Sequence, residues 1–495
     1  MVFSSLTFLM FFLPLVMGLY FLRSNIRWRN GILLVSSLLF YGWSDPVWIL
    51  AMLFSTFLNY VCALRIAKTK HSFIKRWYLF ISMAGSLGLL FYFKYSAFTL
   101  NGLSALFGSD FRMDTPVLPI GISFYTFQVL SYTLDVYWEK TPVQKKPLRL
   151  LLYVSCFPQL IAGPIVRYDD IEQRLSKRYT SPDDFQAGMR RFVVGLSKKV
   201  LLANIAGAAL NETVLAGSGT QLSFAGAWLS AFLYALQIYF DFSAYSDMAI
   251  GIGRVLGFEY KENFDYPYIS RSAGEFWRRW HISLGTWFRE YLMYPLMRSR
   301  IFRKMSMKKS PNRSKMYYRN KATIICTMIV WMCTGLWHGA SLNFVVWGLY
   351  YGLMMVLEKF VFDKILAKTP GVIKWFFTMI VALVSFVIFY YTDFSHVSQH
   401  LLAMVGLRAG EGGFGVVRLI DDKTVEVFKT YAVFMVIACA CCLPVGKWIR
   451  DLLGKTTVTD RTANGIGTLI LSGLLVMSIL FLVGQSFNPF IYFRF

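Results

Sequence analysis

The chain has 495 residues, of which 56% are hydrophobic, 18% aromatic and only 16% charged, whereas soluble domains carry ~25% charged residues. This balance excludes an ordinary water-soluble fold and points to an all-α polytopic membrane protein. The formal net charge of +24 falls between apolar stretches rather than on a soluble domain, so it gives no footing for a nucleic-acid partner.

From the N-terminus, the first uncharged run is Phe3 to Leu22, close to the ~20 residues a helix needs to cross ~30 Å of hydrocarbon. No basic residue precedes it, and Arg23, Arg27 and Arg29 follow it. It reads as a retained helix with its N-terminus outside, not as a signal peptide. Trp77 to Phe93, Leu222 to Phe240, Trp375 to Thr392 and Ala463 to Phe493 are further runs without charge, and the length rule predicts roughly 10 to 12 spanning or half-spanning helices in all. Between them lie the basic segments Arg65 to Arg76, Lys140 to Arg149, Arg167 to Lys199 and Arg298 to Lys321, the last with ten Lys or Arg and no acid. Such loops stay in the cytoplasm, where they also attract anionic substrates and lipid headgroups.

Asp241 and Asp247 follow an apolar helix and need partners at that depth, for which nearby arginines are candidates. Gly251, Gly253 and Gly257 come next without a preceding strand, so they suit close helix packing rather than a dinucleotide fold. The segment Glu275 to Leu296, "EFWRRWHISLGTWFREYLMYPL", alternates charge with aromatic rings in the manner of one amphipathic helix lying in the interface. It holds His281, and its Arg278, Arg279 and Arg289 offer guanidinium forks to a phosphate-bearing donor.

Ala322 to Leu357 is an uncharged run in which His338 is the sole titratable imidazole. As one helix it would be ~54 Å long, nearly twice the hydrocarbon thickness. It must break, and the small polar stretch "HGAS" from His338 to Ser341 is the place. Either two tilted spans or a hairpin within the bilayer results, and both put His338 inside protein or a wet cavity. An ionisable side chain there is a functional candidate by default. The seven cysteines show neither a disulfide framework nor zinc-ligand spacing, and no metal or bound cofactor is expected.

Four segments, "VLPIGISFYTFQVLSYTLDVY", "YFDFSAYSDMAIGIGRVLGF", "FWRRWHISLGTWFREYLMYPL" and "GLWHGASLNFVVWGLYYG", together resemble the membrane-bound O-acyltransferase superfamily. Within it they are similar to the bacterial branch that holds the alginate O-acetylation membrane protein and the D-alanyl transfer protein of teichoic acid synthesis. The resemblance runs over nearly the whole chain and implies one membrane-embedded domain, residues 1–495, with interfacial helices around a central catalytic tunnel in the bacterial inner membrane. It implies that His338 is the essential histidine, with His281 at a second, more variable position. It further implies acetyl-CoA as donor, a cell-surface polysaccharide as acceptor, and a separate extracytoplasmic acetyltransferase as partner alongside the membrane lipids. The alternatives are transfer of D-alanine or another acyl group from a carrier-protein thioester, and a polytopic transporter without catalysis.

The chemistry agrees with that implication. An alcohol attacking a thioester must lose its proton as the tetrahedral intermediate forms, a task suited to a neutral imidazole near pH 7. Trp337, Ser341 and Asn343 stand beside His338 in sequence and are candidates to orient it or bind the developing oxyanion; Asp241 is a further candidate for substrate contact. At the C-terminus, "NPFIYFRF" places Tyr492 among phenylalanines. It resembles the branch's C-terminal aromatic motif, in which a tyrosine acts as a transient acyl carrier; an aromatic belt at the interface is the other reading.

Overall fold

A computed structural model of the protein describes residues 2–490 apart from 45, 162, 216–221, 309–313, 411–412, 447, 449–459 and 485–489. Tyr492 lies outside the described residues. Helices dominate, because a chain in hydrocarbon satisfies its backbone only within a helix or a closed barrel. Among the described residues seven helices are long and apolar enough to cross a membrane, and Phe8–Phe21 and Ser96–Phe107 are shorter apolar helices. The expected all-α polytopic architecture is therefore observed.

The chain packs as two compact units, residues 1–196, 244–262 and 475–495 in the first and 197–243 and 263–474 in the second. In the first unit, α1 (Leu13–Phe21), α2 (Ile26–Ser44), α3 (Ile49–Lys68), α4 (Ser72–Lys94), α5 (Ile122–Tyr137) and α6 (Tyr168–Ser176) follow in order. A polar knot ties three of them. Asn59 on α3 donates to Ser86 Oγ of α4 at 2.8 Å and accepts from Ser82 at 2.5 Å and from Thr133 of α5 at 2.9 Å. All four side chains are buried, and fully paired amides of this kind join helices that apolar lipid alone gives no reason to associate.

Helix α7 (Phe224–Val255) runs from the second unit into the first. Gly251 serves helix packing, as expected: a Cβ there would stand 2.6 Å from the Gly188 carbonyl oxygen. Asp247 finds its arginine, with Arg191 Nη2 at 2.8 Å.

The second unit continues with α8 (Ala273–Arg279), α9 (Ile282–Phe288), α10 (Lys315–His338), α11 (Leu342–Leu357), α12 (Gly371–Tyr390) and α13 (Phe394–Met404). Strands β1 (Leu407–Gly410) and β2 (Gly413–Val416) then pair antiparallel with Leu407 opposite Val416, and α14 (Asp422–Cys441) follows. Helices α10 and α11 are the two halves of the long uncharged run, broken at Gly339–Ser341 as expected. They lie backbone against backbone. A Cβ on Gly335 would sit 2.2 Å from the Phe344 carbonyl oxygen, and one on Gly348 would sit 2.3 Å from that of Trp331.

Candidate active site

His338 is the last residue of α10 and is 7% exposed. Its ring centroid lies 4.9 Å from Trp337, 5.0 Å from Trp347 of α11 and 5.1 Å from Phe389 of α12. Each of the three contacts is tilted by 75° or more, edge to face. Aromatic walls confine the imidazole without supplying charge. Nearby, buried Asn343 donates through Nδ2 to the Ile388 carbonyl at 3.4 Å while its Oδ1 meets no partner among the described residues, and Ser341 donates to the Thr392 carbonyl at 3.4 Å.

His281 does not lie in a continuous amphipathic helix, which corrects the sequence expectation for Glu275 to Leu296. The backbone breaks at His281, with φ 44°, between α8 and α9. The cause is Asn263. Its side-chain oxygen accepts from Ser283 N at 3.1 Å and Ser283 Oγ at 2.8 Å, and its backbone carbonyl accepts from Ile282 N at 2.9 Å. These acceptors replace the helix's own, so the chain turns there. His281 Nδ1 is 3.2 Å from the same Asn263 oxygen. An amide oxygen only accepts, so Nδ1 carries the proton and Nε2 keeps a lone pair. Nε2 is buried without a partner among the described residues. His281 lies outside the seven candidate spans, and burial pushes its pKa down to about 3, which keeps it neutral. Its ring stands 6.0 Å from that of Trp337, so Trp337 separates the two histidines.

A cavity of about 610 Å³ is lined by Trp277, Arg278, Ile282, Arg289, Trp331 and Thr334, and by Glu358 and Lys359. Neither imidazole is among its lining residues, but Ile282 follows His281 and Thr334 lies one turn before His338. Of the three expected arginines, Arg278 and Arg289 reach this cavity. Arg279 does not, because Glu275 and Asp265 each hold it at 3.0 Å. Asp241 forms a buried ion pair with Lys199 at 2.5 Å, and Lys199 lies on the π-helical turn Lys198–Ala203. Among the described residues no cluster of His, Cys, Asp or Glu is placed to hold a metal ion.

Two participants had no sequence signal. Asn263 is 18 residues before His281. Glu358 accepts from Gly274 N at 3.1 Å through both carboxylate oxygens, 84 residues away, pinning the start of α8 to the end of α11.

Comparison with known proteins gives the family. Residues 146–309 match the model of the membrane-bound O-acyltransferase family. A probable alginate O-acetylase of Pseudomonas putida is 35% identical over the whole of both chains. A peptidoglycan O-acetyltransferase of Helicobacter pylori is 28% identical over all of this chain and 98% of its own. A teichoic acid D-alanyltransferase of Bacillus subtilis is 29% identical over 50% of this chain and 60% of its own. These relatives are acyltransferases, which removes the transporter reading. With its buried imidazoles, its apolar helices and full-length relatives of this kind, the chain belongs to the membrane-bound O-acyltransferase family and is a multi-pass bacterial membrane acyltransferase.

Proposed function

We propose that the protein is an O-acetyltransferase that takes an acetyl group from cytosolic acetyl-CoA for O-acetylation of a cell-surface polysaccharide, in concert with a separate extracytoplasmic acetyltransferase. The observation that carries this reading is the buried His338 at the break between α10 and α11, one turn after Thr334, which lines a cavity that also presents Arg278 and Arg289. Guanidinium forks suit the phosphates of CoA, and the aromatic and apolar wall around His338 suits the thioester arm. His338 takes the proton of the attacking hydroxyl as oxygen bonds to the acyl carbon, and returns it to the departing thiolate as the carbon–sulfur bond breaks. Asn343 and Trp337 flank that carbon, and the neutral His281 orients the acceptor through its free lone pair. Asp241, held by Lys199, supports the helix that carries Phe242 against the His281 ring at 4.6 Å.

Full-length likeness to O-acetylases, against half-length likeness to D-alanyltransferases, favours acetyl over D-alanyl transfer. Tyr492 is the proposed intermediate carrier: its phenol accepts the acetyl group and passes it outward as a tyrosyl ester. Purified protein given acetyl-CoA should release free CoA in step with acetyl transfer, and His338→Ala protein should not. Absence of CoA release from active protein would overturn the donor. Tyr492→Phe protein acetylating the acceptor at the wild-type rate would overturn the relay.

A further inference from the structure

Far along the chain from His338, the first unit buries two guanidinium groups that no carboxylate neutralises among the described residues. Arg29, in the first turn of α2, is 8% exposed, and Arg178, just beyond α6, is 6% exposed. They are adjacent, since Arg29 Nη1 donates to the Arg178 carbonyl at 3.4 Å. Arg178 Nε donates to Tyr20 Oη at 2.9 Å, its Nη1 donates to the Arg174 carbonyl at 3.0 Å, and Tyr20 in turn donates to the Leu256 carbonyl at 2.7 Å. Aromatic faces cover both cations: Arg29 lies 5.1 Å from the Tyr20 ring, and Arg178 lies 4.4 Å from the Phe258 ring. Even so, Arg29 Nε and Arg178 Nη2 are buried with no acceptor among the described residues. Glu259, the residue after Phe258, is engaged by Arg174.

The backbone is shaped for this arrangement. Gly257 has φ 80°, and a Cβ there would meet Arg178 Cγ at 2.6 Å. A left-handed glycine thus makes room for the stem of one arginine. Burying two like charges side by side is costly, and a folded chain tolerates it where an anion completes the site. We propose that Arg29 and Arg178 form a binding site for a phosphate oxyanion, supplied by the headgroup of an anionic phospholipid. The lipid is favoured as the source because the cations lie at the end of the apolar helix α1, beside Phe21, which is 36% exposed, and Leu22, which is 68% exposed. Trp28, whose indole donates to the Leu19 carbonyl at 2.8 Å, stands at the same level with exposed Arg23 over its ring at 4.9 Å. A phosphate with acyl chains matches both the forks and the apolar collar.

The full-length protein should be tested in phosphatidylcholine vesicles, in the same vesicles with inorganic phosphate, and in vesicles of phosphatidylcholine with phosphatidylglycerol. Native mass spectrometry then counts retained phosphatidylglycerol. Arg29→Gln and Arg178→Gln should each weaken that retention roughly 10- to 100-fold, the loss expected for charge-assisted bonds, while Arg23→Gln should leave it unchanged. The unfolding midpoint supplies a sign that a merely structural role does not. Phosphatidylglycerol should raise it for the wild type, and Arg29→Gln should be less stable than wild type with phosphatidylglycerol but no less stable in phosphatidylcholine alone. An equal loss of stability in both lipids, or failure of Arg29→Gln to fold in either, would make the pair structural and overturn the proposal. Equal retention by wild type and variants would do the same. Stabilisation by inorganic phosphate but not by phosphatidylglycerol would keep the oxyanion and overturn the lipid as its source.

Discussion

His338 is confined at the end of α10 by the rings of Trp337, Trp347 and Phe389. Replacing it by alanine should leave the protein in the membrane yet lower acyl transfer ~100-fold or more, the general range for base catalysis, as measured with labelled donor in membranes of matched protein content. His281→Ala should cost less, and equal losses at the two positions would assign His338 to structure. The Lys199–Asp241 pair gives a second test, because both side chains are buried. Lys199→Met should cost about 3–5 kcal/mol by stranding a buried carboxylate, and adding Asp241→Leu should recover much of it; thermal unfolding of the two variants in detergent checks the order. His338 was legible in the sequence as the sole imidazole in an uncharged run, and Arg278 and Arg289 as forks near His281. Asn263 and Glu358 were not, because what makes them matter is contact across 18 and 84 residues, which no local pattern encodes.

The hairpin of α10 and α11 shows the same division at the level of elements. Its break could be placed from length alone, since no single helix fits the bilayer twice over. The closeness of the two helices could not, because Gly335 and Gly348 look like any other glycines until their partners are in place. Gly335→Ala should destabilise the protein by about 1–3 kcal/mol, since the new methyl meets the Phe344 backbone oxygen at 2.2 Å and a backbone atom yields little. A lowered unfolding midpoint with loss of activity in parallel is the expected result, and an unchanged midpoint would show that the helices part easily. The segment around His281 was misread for a physical reason. Alternating rings and charges predict one interfacial helix, but Asn263 captures the amides that would have continued it. Tertiary acceptors outcompeted local periodicity.

At the scale of the whole molecule, charge distribution carries the orientation. The segment Arg298 to Lys321, with ten basic residues and no acid, should lie in the cytoplasm. Cysteines introduced at Arg300 or Arg319 should react with an impermeant thiol reagent in inverted vesicles only, and labelling from outside intact cells would reverse the topology. The apolar spans and the sign of the loops were readable without coordinates, whereas the division into two compact units was not, because α7 shows no change of composition where it passes from one to the other. The cavity with Arg278 and Arg289 has a kinetic meaning as well. In a chain of net charge +24, basic groups lining a hollow draw a polyanion inward before any contact forms, so arrival should be steered rather than random. Raising salt from about 50 to about 200 mM shortens the reach of that field and should raise the apparent KM for an anionic donor while leaving kcat nearly constant. With Arg278 and Arg289 both changed to glutamine, the curve should be flat. The pace of encounter, and not only the tightness of grip, is then written into where two guanidinium groups stand.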